Sequence, residues 1–321
     1  MQHHEVEVFL PYEAVVDRLE NAARQLPGAS VLHREGLAIL RVGTASASEV
    51  NDARPEIWLQ GGLHACEWIG PVVVLRFMDE LIRNSGLRGR AIWYLLPVVD
   101  ADGYRRTWAG ERFLRTTEHG ENPNLNFPYR WGEAPRLVRR LLGRRLRGWL
   151  GPNPASVGCV KSLVSELKRL TNLQLFLDFH GFGRLWLYPW CYSKEPSPHH
   201  REHKAACATA VAAANRLAGH SGYRAQAAAF TEVPMGGSCL DFVYGEIGCA
   251  HSYAVELPPS LPPGGVLGAT LLGALRGDPK RWWREGQAPP PEVGIAAGDE
   301  MAAALSALVD HLFEATPAAA T

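Results

Sequence analysis

Excess charge of either sign is missing from this sequence, in which 33 Lys and Arg balance 33 Asp and Glu over 321 residues. The balance removes any global electrostatic case for nucleic acid or an anionic membrane, so partners have to be argued from local features. Cysteine is sparse. The six thiols (Cys66, Cys159, Cys191, Cys207, Cys239, Cys249) are scattered and form no Cys-x-x-Cys pair, in a chain large enough not to need staples. Reduced thiols, and with them a cytoplasmic location, are the expectation. No apolar run reaches the roughly 18 residues of a membrane-spanning helix, so no span is expected. Nor does the start offer a basic segment followed by an apolar one, and no secretory signal is read there. What is present is 46% hydrophobic content, enough for one large core.

Pro11 to Leu26 carries Val15, Val16, Leu19 and Ala22 at helical spacing, and Pro27-Gly28 ends it. Strands are expected over Leu37 to Val42 and Ile57 to Gln60. Pro71 suits the first turn of a helix that stops at Asn84-Ser85-Gly86. Ala91 to Val99 is a continuous apolar run of the kind that fills a central strand, and Asp100-Ala101-Asp102-Gly103-Tyr104 turns out of it. Leu173 to Phe179 and His251 to Leu257 are further strands. Ala205 to Leu217 is an Ala-rich helix closed by Gly219, and Asp299 caps a last helix with Met301, Leu305, Leu308, Val309 and Leu312 on one face. Strands alternating with helices predict an α/β sheet covered on both sides, where chemistry gathers beyond the carboxyl ends of the strands.

His64, His180 and Glu256 lie at or near three such ends. The stretch Gln60-Gly61-Gly62-Leu63-His64-Ala65-Cys66-Glu67-Trp68 lets a tight loop aim an imidazole and a carboxylate at one point. A hydrolytic zinc site uses three protein ligands and leaves one position for water, so His64 and Glu67 call for a distant third ligand. Taken alone, His-x-x-Glu also describes an ordinary surface pair.

These residues together resemble the zinc carboxypeptidase family. Gly61 to Ile69 is similar to its Gly-x-His-x-x-Glu-Trp-Ile zinc loop, and Asp102-Gly103-Tyr104 with Glu111-Arg112-Phe113-Leu114-Arg115 to its Asn-Pro-Asp-Gly-Tyr stretch and following arginines. Asn124-Leu125-Asn126-Phe127-Pro128 resembles Asn-Arg-Asn-Phe-Pro, Leu177 to Gly181 the strand of the third ligand, and Tyr253 to Leu257 the strand of the catalytic glutamate. The resemblance implies a three-layer α/β/α sandwich around a mixed, mostly parallel eight-stranded sheet. It implies one catalytic domain over residues 1–321 without the family's pro-segment, with 133–152 and 258–295 as inserted loops or lids. It implies one Zn²⁺ per chain on His64, Glu67 and His180, Glu256 as general base and Arg115 as oxyanion donor. The implied activity is carboxypeptidase-like hydrolysis of an amide bond in a peptide or peptide-like small molecule.

The sequence departs from the family where a substrate carboxylate would be gripped. Leu125 stands in place of the arginine of Asn-Arg-Asn, and leucine can neither pair nor carry charge. Cys66 stands where many members have a second arginine, and Phe230 to Ser238 lacks the usual tyrosine. Asn124, Leu125, Arg130, Arg184, Glu232 and Leu240 are the candidate substrate contacts. Arg130, Arg184, Arg105 or Arg106 could supply the missing cation. Alternatively the enzyme is an amidase or deacylase acting on a substrate without a free α-carboxylate. A catalytically silent binding protein is the third reading.

Three further features stand apart. Arg136 to Arg147 holds six arginines among leucines, suited to an anionic partner or membrane face, or to a solvated helical lid. His199, His200 and His203 read as surface histidines and not as a metal site. Asp178, two residues before His180, could orient a ligand or make a simple buried hydrogen bond.

Overall fold

The computed structural model describes residues 8–43, 54–219, 222–231, 233–261, 278 and 280–313, and of 142–148 the backbone alone. Glu232 lies outside the described residues, as does most of 258–279. The elements run α1 (Tyr12–Gln25), β1 (Ala29–Arg34), β2 (Leu37–Val42), β3 (Glu56–Gly61), α2 (Ile69–Arg83), β4 (Ile92–Leu96), α3 (Ala101–Trp108), α4 (Arg136–Leu150) and α5 (Gly158–Leu167). They continue with β5 (Leu173–Gly181), β6 (Leu185–Tyr188), α6 (His200–Ala218), β7 (Arg224–Ala227), β8 (His251–Leu257), α7 (Arg281–Gln287) and α8 (Pro291–Leu312).

Eight strands form one mixed sheet in the order β1-β2-β4-β3-β5-β8-β6-β7. The centre, β4-β3-β5-β8, is parallel, and antiparallel pairings join β2 to β4 and β6 to β8. Alternate side chains of each central strand feed different cores. Ile57, Leu59, Leu175 and Leu177 pack under α1, α2, α6 and α8 through Leu19, Phe77, Ala210 and Leu305. Trp58, Tyr94 and Phe176 pack on the other face against Val160 and Leu163 of α5. Both faces being covered, these strands read as unbroken apolar runs.

Five elements differ from the sequence-based expectation. Strands β1, β6 and β7 were not expected: β1 and β7 are sheet edges with partly exposed residues, and β6 spans only four residues. Asp100 does not begin a turn. It caps α3, its Oδ1 accepting the Gly103 N–H at 3.0 Å. Asp299 does not cap the last helix, which starts eight residues earlier with Pro291 at its first position and carries Asp299 in its interior, paired with Arg76. Gly298 is a contact point within this helix: a Cβ there would come within 2.6 Å of the Arg76 side chain on α2. Residues 136–150 form a continuous helix, and 281–287 another.

Candidate metal centre

The loop after β3 and the end of β5 deliver the centre. Gly62 takes φ +60°, and a Cβ on Gly61 would lie 2.6 Å from the Gly70 carbonyl carbon, so the loop folds tightly onto the start of α2. His64, Glu67 and His180 are 2%, 1% and 3% exposed, with donor atoms all within 4.8 Å of one another. His64 Nδ1 lies 3.0 Å from Glu67 Oε1, and His180 Nδ1 lies 3.0 Å from Glu67 Oε2. The far nitrogens are held from behind. His64 Nε2 is 2.9 Å from Asn122 Oδ1, and His180 Nε2 is 2.9 Å from Asp178 Oδ2. Asn122 Oδ1 also accepts the Asn124 N–H at 3.0 Å, which identifies it as the oxygen and makes His64 Nε2 the protonated nitrogen.

His64 Nδ1 is therefore a lone pair aimed into the cluster, and it is buried without a hydrogen-bond partner. A lone pair facing a carboxylate at 3.0 Å in a dry interior is unfavourable unless a cation sits between them. This donor set fits zinc, which accepts imidazole nitrogen and carboxylate oxygen in a site of three protein ligands. Asp178 makes the buried hydrogen bond to His180 on which both of its readings rest.

Electrostatics follow the same geometry. Burial works to raise the Glu67 carboxyl, but its contacts with His64, Arg115 and His180 hold it well below the usual range. Burial, followed by the Arg115 charge, lowers His64. Burial also works to lower His180, yet Asp178 and Glu67 lift it well above the ordinary imidazole value. Burial pushes the Cys66 thiol up to about 12, so at neutral pH it is a neutral thiol, and its sulfur is not among the clustered donor atoms.

Arg115 donates from Nη1 to Glu67 Oε1, which sets its guanidinium against the ligand carboxylate. Glu256 is reached from the neighbouring strand: β5 and β8 run parallel with His180 opposite Glu256, so both side chains leave the sheet on one face, and Glu256 is partly exposed. Gly183 lets the following loop cross this point, where a Cβ would stand 3.3 Å from that of Glu256.

The expected substrate contacts divide. Asn124 Oδ1 accepts the Cys239 N–H at 2.8 Å and so braces the loop that carries Leu125. Leu125 itself is half-buried beside Gly237. Leu240 belongs to a small core with Leu185, Leu187, Ala228 and Ala254, which corrects its assignment as a contact residue. None of the four substitute cations joins the ligands. Arg130 is exposed and pairs with Glu133 at 3.2 Å, Arg184 turns to Glu300 at 3.4 Å, Arg105 pairs with Glu13 at 2.7 Å, and Arg106 with Glu111 at 2.7 Å. Each is more favourably placed beside a carboxylate than it would be alone in a buried wall.

Sequence reasoning missed Asn122 and Gln287 and gave Arg112 no role of its own. Arg112 donates to the carbonyls of Cys66 at 2.7 Å and Gln287 at 2.6 Å, with its guanidinium 3.9 Å above the Trp68 ring. Gln287 Nε2 donates to the Gly181 carbonyl at 2.8 Å, and Phe182 packs edge-on against Trp282, so α7 lies along the rim of the centre. The histidine triplet is also corrected. His203 is fully buried, with Ser197 Oγ at 3.1 Å and the Ala250 carbonyl at 2.7 Å on its two nitrogens, and burial brings its pKa down to about 4. With both nitrogens used, it cannot ligate. Two cavities of about 540 and 570 Å³ meet at Asp100, Asp102, Gly158 and Cys159 and include none of the three ligands.

The glycine pair after β7 sets the position of Leu125. Gly237 has φ +92°, and a Cβ there would stand 2.4 Å from the Leu125 carbonyl oxygen. Gly237→Ala is expected to cost about 2–4 kcal/mol from left-handed strain plus the backbone clash. At this chain length that lowers the thermal midpoint by about 3–6 °C, which calorimetry would measure.

Comparison with known proteins returns one answer. A model of the zinc carboxypeptidase family matches residues 22–267. Carboxypeptidase B of Astacus astacus is 25% identical over 267 residues, 77% of this chain and 85% of that protein. Zinc carboxypeptidase A 1 of Anopheles gambiae is 29% identical over 220 residues, 64% of this chain, and the chain spans 49% of that protein's length. Among solved structures, bovine thrombin-activatable fibrinolysis inhibitor in complex with tick carboxypeptidase inhibitor superimposes with a TM-score of 0.76 at 20% identity, over 97% of this chain and 99% of that one. This last likeness speaks to the fold alone.

Proposed function

Because the chain belongs to the zinc carboxypeptidase family, whose model covers residues 22–267, we propose that it hydrolyses peptide bonds at a zinc ion held by His64, Glu67 and His180. The observation that carries this reading is the three-donor cluster, buried, within 4.8 Å, with an orphaned imidazole lone pair aimed into it. Zinc bound there would supply a water acidified from about 15.7 to about 7 and a Lewis acid for the scissile carbonyl. Glu256 takes the proton of the attacking water and returns it to the leaving amine, which an amide needs because an amide anion does not leave. Arg115 offers donors to the developing oxyanion from its seat beside Glu67. Asn122 and Asp178 keep both imidazoles in the tautomer that faces inward.

The substrate is a peptide or peptide-like molecule. Leu125 cannot pair with a C-terminal carboxylate, and Arg130, Arg184, Arg105 and Arg106 are engaged elsewhere, so recognition of that carboxylate is weak. The test compares matched peptides with free and amidated C-termini on zinc-loaded protein. Their kcat/KM values are expected to agree within about tenfold, whereas a site built around a polar partner typically discriminates by 10⁴ or more. Leu125→Arg is expected to shift the ratio towards the free acid. Strong rejection of the amide by the unaltered protein would restore a carboxylate clamp, and hydrolysis of neither peptide would remove the peptidase reading.

A further inference from the structure

Helix α4 supplies none of the side chains of the metal centre, and its composition is unlike the rest of the chain. Arg136–Leu150 contains six arginines and no acidic residue, in a protein whose overall charge is zero. Of the side chains described, Arg136, Arg139 and Arg140 are exposed, and so are Leu137 (64%), Leu141 (72%) and Trp149 (41%). Leu137 and Leu141 stand one turn apart on one face. Single exposed leucines need no explanation, but a stripe of them flanked by arginines on one helix does. Val233, 55% exposed, lies in the segment tied to the helix's approach, where the Gly236 N–H donates to the Glu133 carbonyl at 2.8 Å.

The helix is also well anchored. Its last carbonyls are taken: Trp149 accepts the Asn122 N–H at 2.8 Å, and Leu150 accepts Asn126 Nδ2 at 2.6 Å and Trp131 Nε1 at 3.1 Å. Asn122 is the residue that holds His64. An exposed amphipathic face is thus carried on a fixed element two hydrogen bonds from the metal centre.

We propose that α4 seats the protein on an anionic lipid surface, lying in the plane of the bilayer with Leu137 and Leu141 at the headgroup boundary and the arginines against anionic headgroups. Charge complementarity selects an anionic occupant, since no carboxylate in the helix opposes one. The exposed leucines select lipid over an acidic protein or nucleic acid, because a polyanion would use the arginines and leave the leucines in water.

The test measures co-sedimentation of the full chain with vesicles of phosphatidylcholine alone and with one-third phosphatidylserine, at about 0.15 M salt where screening is already strong. Partition into the anionic vesicles is expected to exceed that into neutral ones by more than tenfold. Replacing Arg136, Arg139 and Arg140 by Gln is expected to lower it by about two orders of magnitude. Leu137→Ser with Leu141→Ser is expected to lower it by about tenfold or more. Both variants should keep the thermal midpoint and the peptide hydrolysis of the unaltered protein. Equal partition into the two vesicles overturns the proposal. So does a leucine variant that binds as well as the original while the arginine variant does not, an outcome that assigns the helix to a soluble polyanion.

Discussion

Glu256→Gln is expected to lower kcat for peptide hydrolysis by about 10²–10⁴-fold, the usual contribution of a general acid–base group, with the zinc content unchanged. The reasoning rests on register. β5 and β8 are adjacent and parallel, and His180 faces Glu256 across them, so the carboxylate projects from the same sheet edge as the metal ligands without being one of them. Glutamine keeps the length and planarity of the side chain, and the close approach of Gly183 to Glu256 Cβ is undisturbed. What it removes is the capacity to take up and return a proton. Such a loss acts in the transition state, so kcat and kcat/KM should fall together while KM changes little. Stopped assays on the zinc-loaded variant, with metal content measured on the same sample, separate this from a lost ligand. Undiminished turnover would show that some other group carries the proton.

The three clustered side chains were legible in the sequence through the resemblance to the zinc carboxypeptidase family, since His-x-x-Glu alone is ambiguous. Two glycines and a histidine at the end of one apolar run, and Asp178-Phe179-His180-Gly181 at the end of another, are signals a reader can find without a structure. The central strands were legible for a related reason: covered on both faces, they leave no polar interruption. Edge strands carry no such mark. β7 reads Arg-Ala-Gln-Ala, with little to separate it from a loop, and β6 beside it is a run of only four residues. Residues that hold the ligands were less legible, because their partners are remote. Asn122 is 58 positions from His64, and Gln287 is 106 from Gly181, distances over which spacing says nothing. The cations nominated to replace the clamp failed on the same ground, since an arginine's charge is visible in the sequence and the carboxylate that claims it is not.

Stripping the metal with a chelator is expected to abolish hydrolysis, with restoration by added zinc, and also to lower the thermal midpoint. A ligand that binds the folded chain alone stabilises it by about 4.1 kcal/mol at a free concentration 1,000 times its Kd. Spread over the unfolding entropy of a chain this long, that is about 6 °C by calorimetry. Asp178→Asn tests the source of the affinity. The carboxylate accepts from His180 Nε2 at 2.9 Å and so leaves Nδ1 as the nitrogen that faces Glu67 and would bind the metal. An amide in its place accepts through one atom only and presents a donor through the other, so the tautomer is no longer fixed and the imidazole loses basicity. Zinc affinity, measured by competition with a chromophoric chelator, should fall by about 10–100-fold, the usual loss when a group behind a metal ligand is altered. An affinity unchanged in Asp178→Asn, alongside a lowered midpoint without zinc, would make Asp178 a structural hydrogen-bond partner alone. An affinity lowered with the zinc-free midpoint preserved makes it the residue that prepares His180 for the metal.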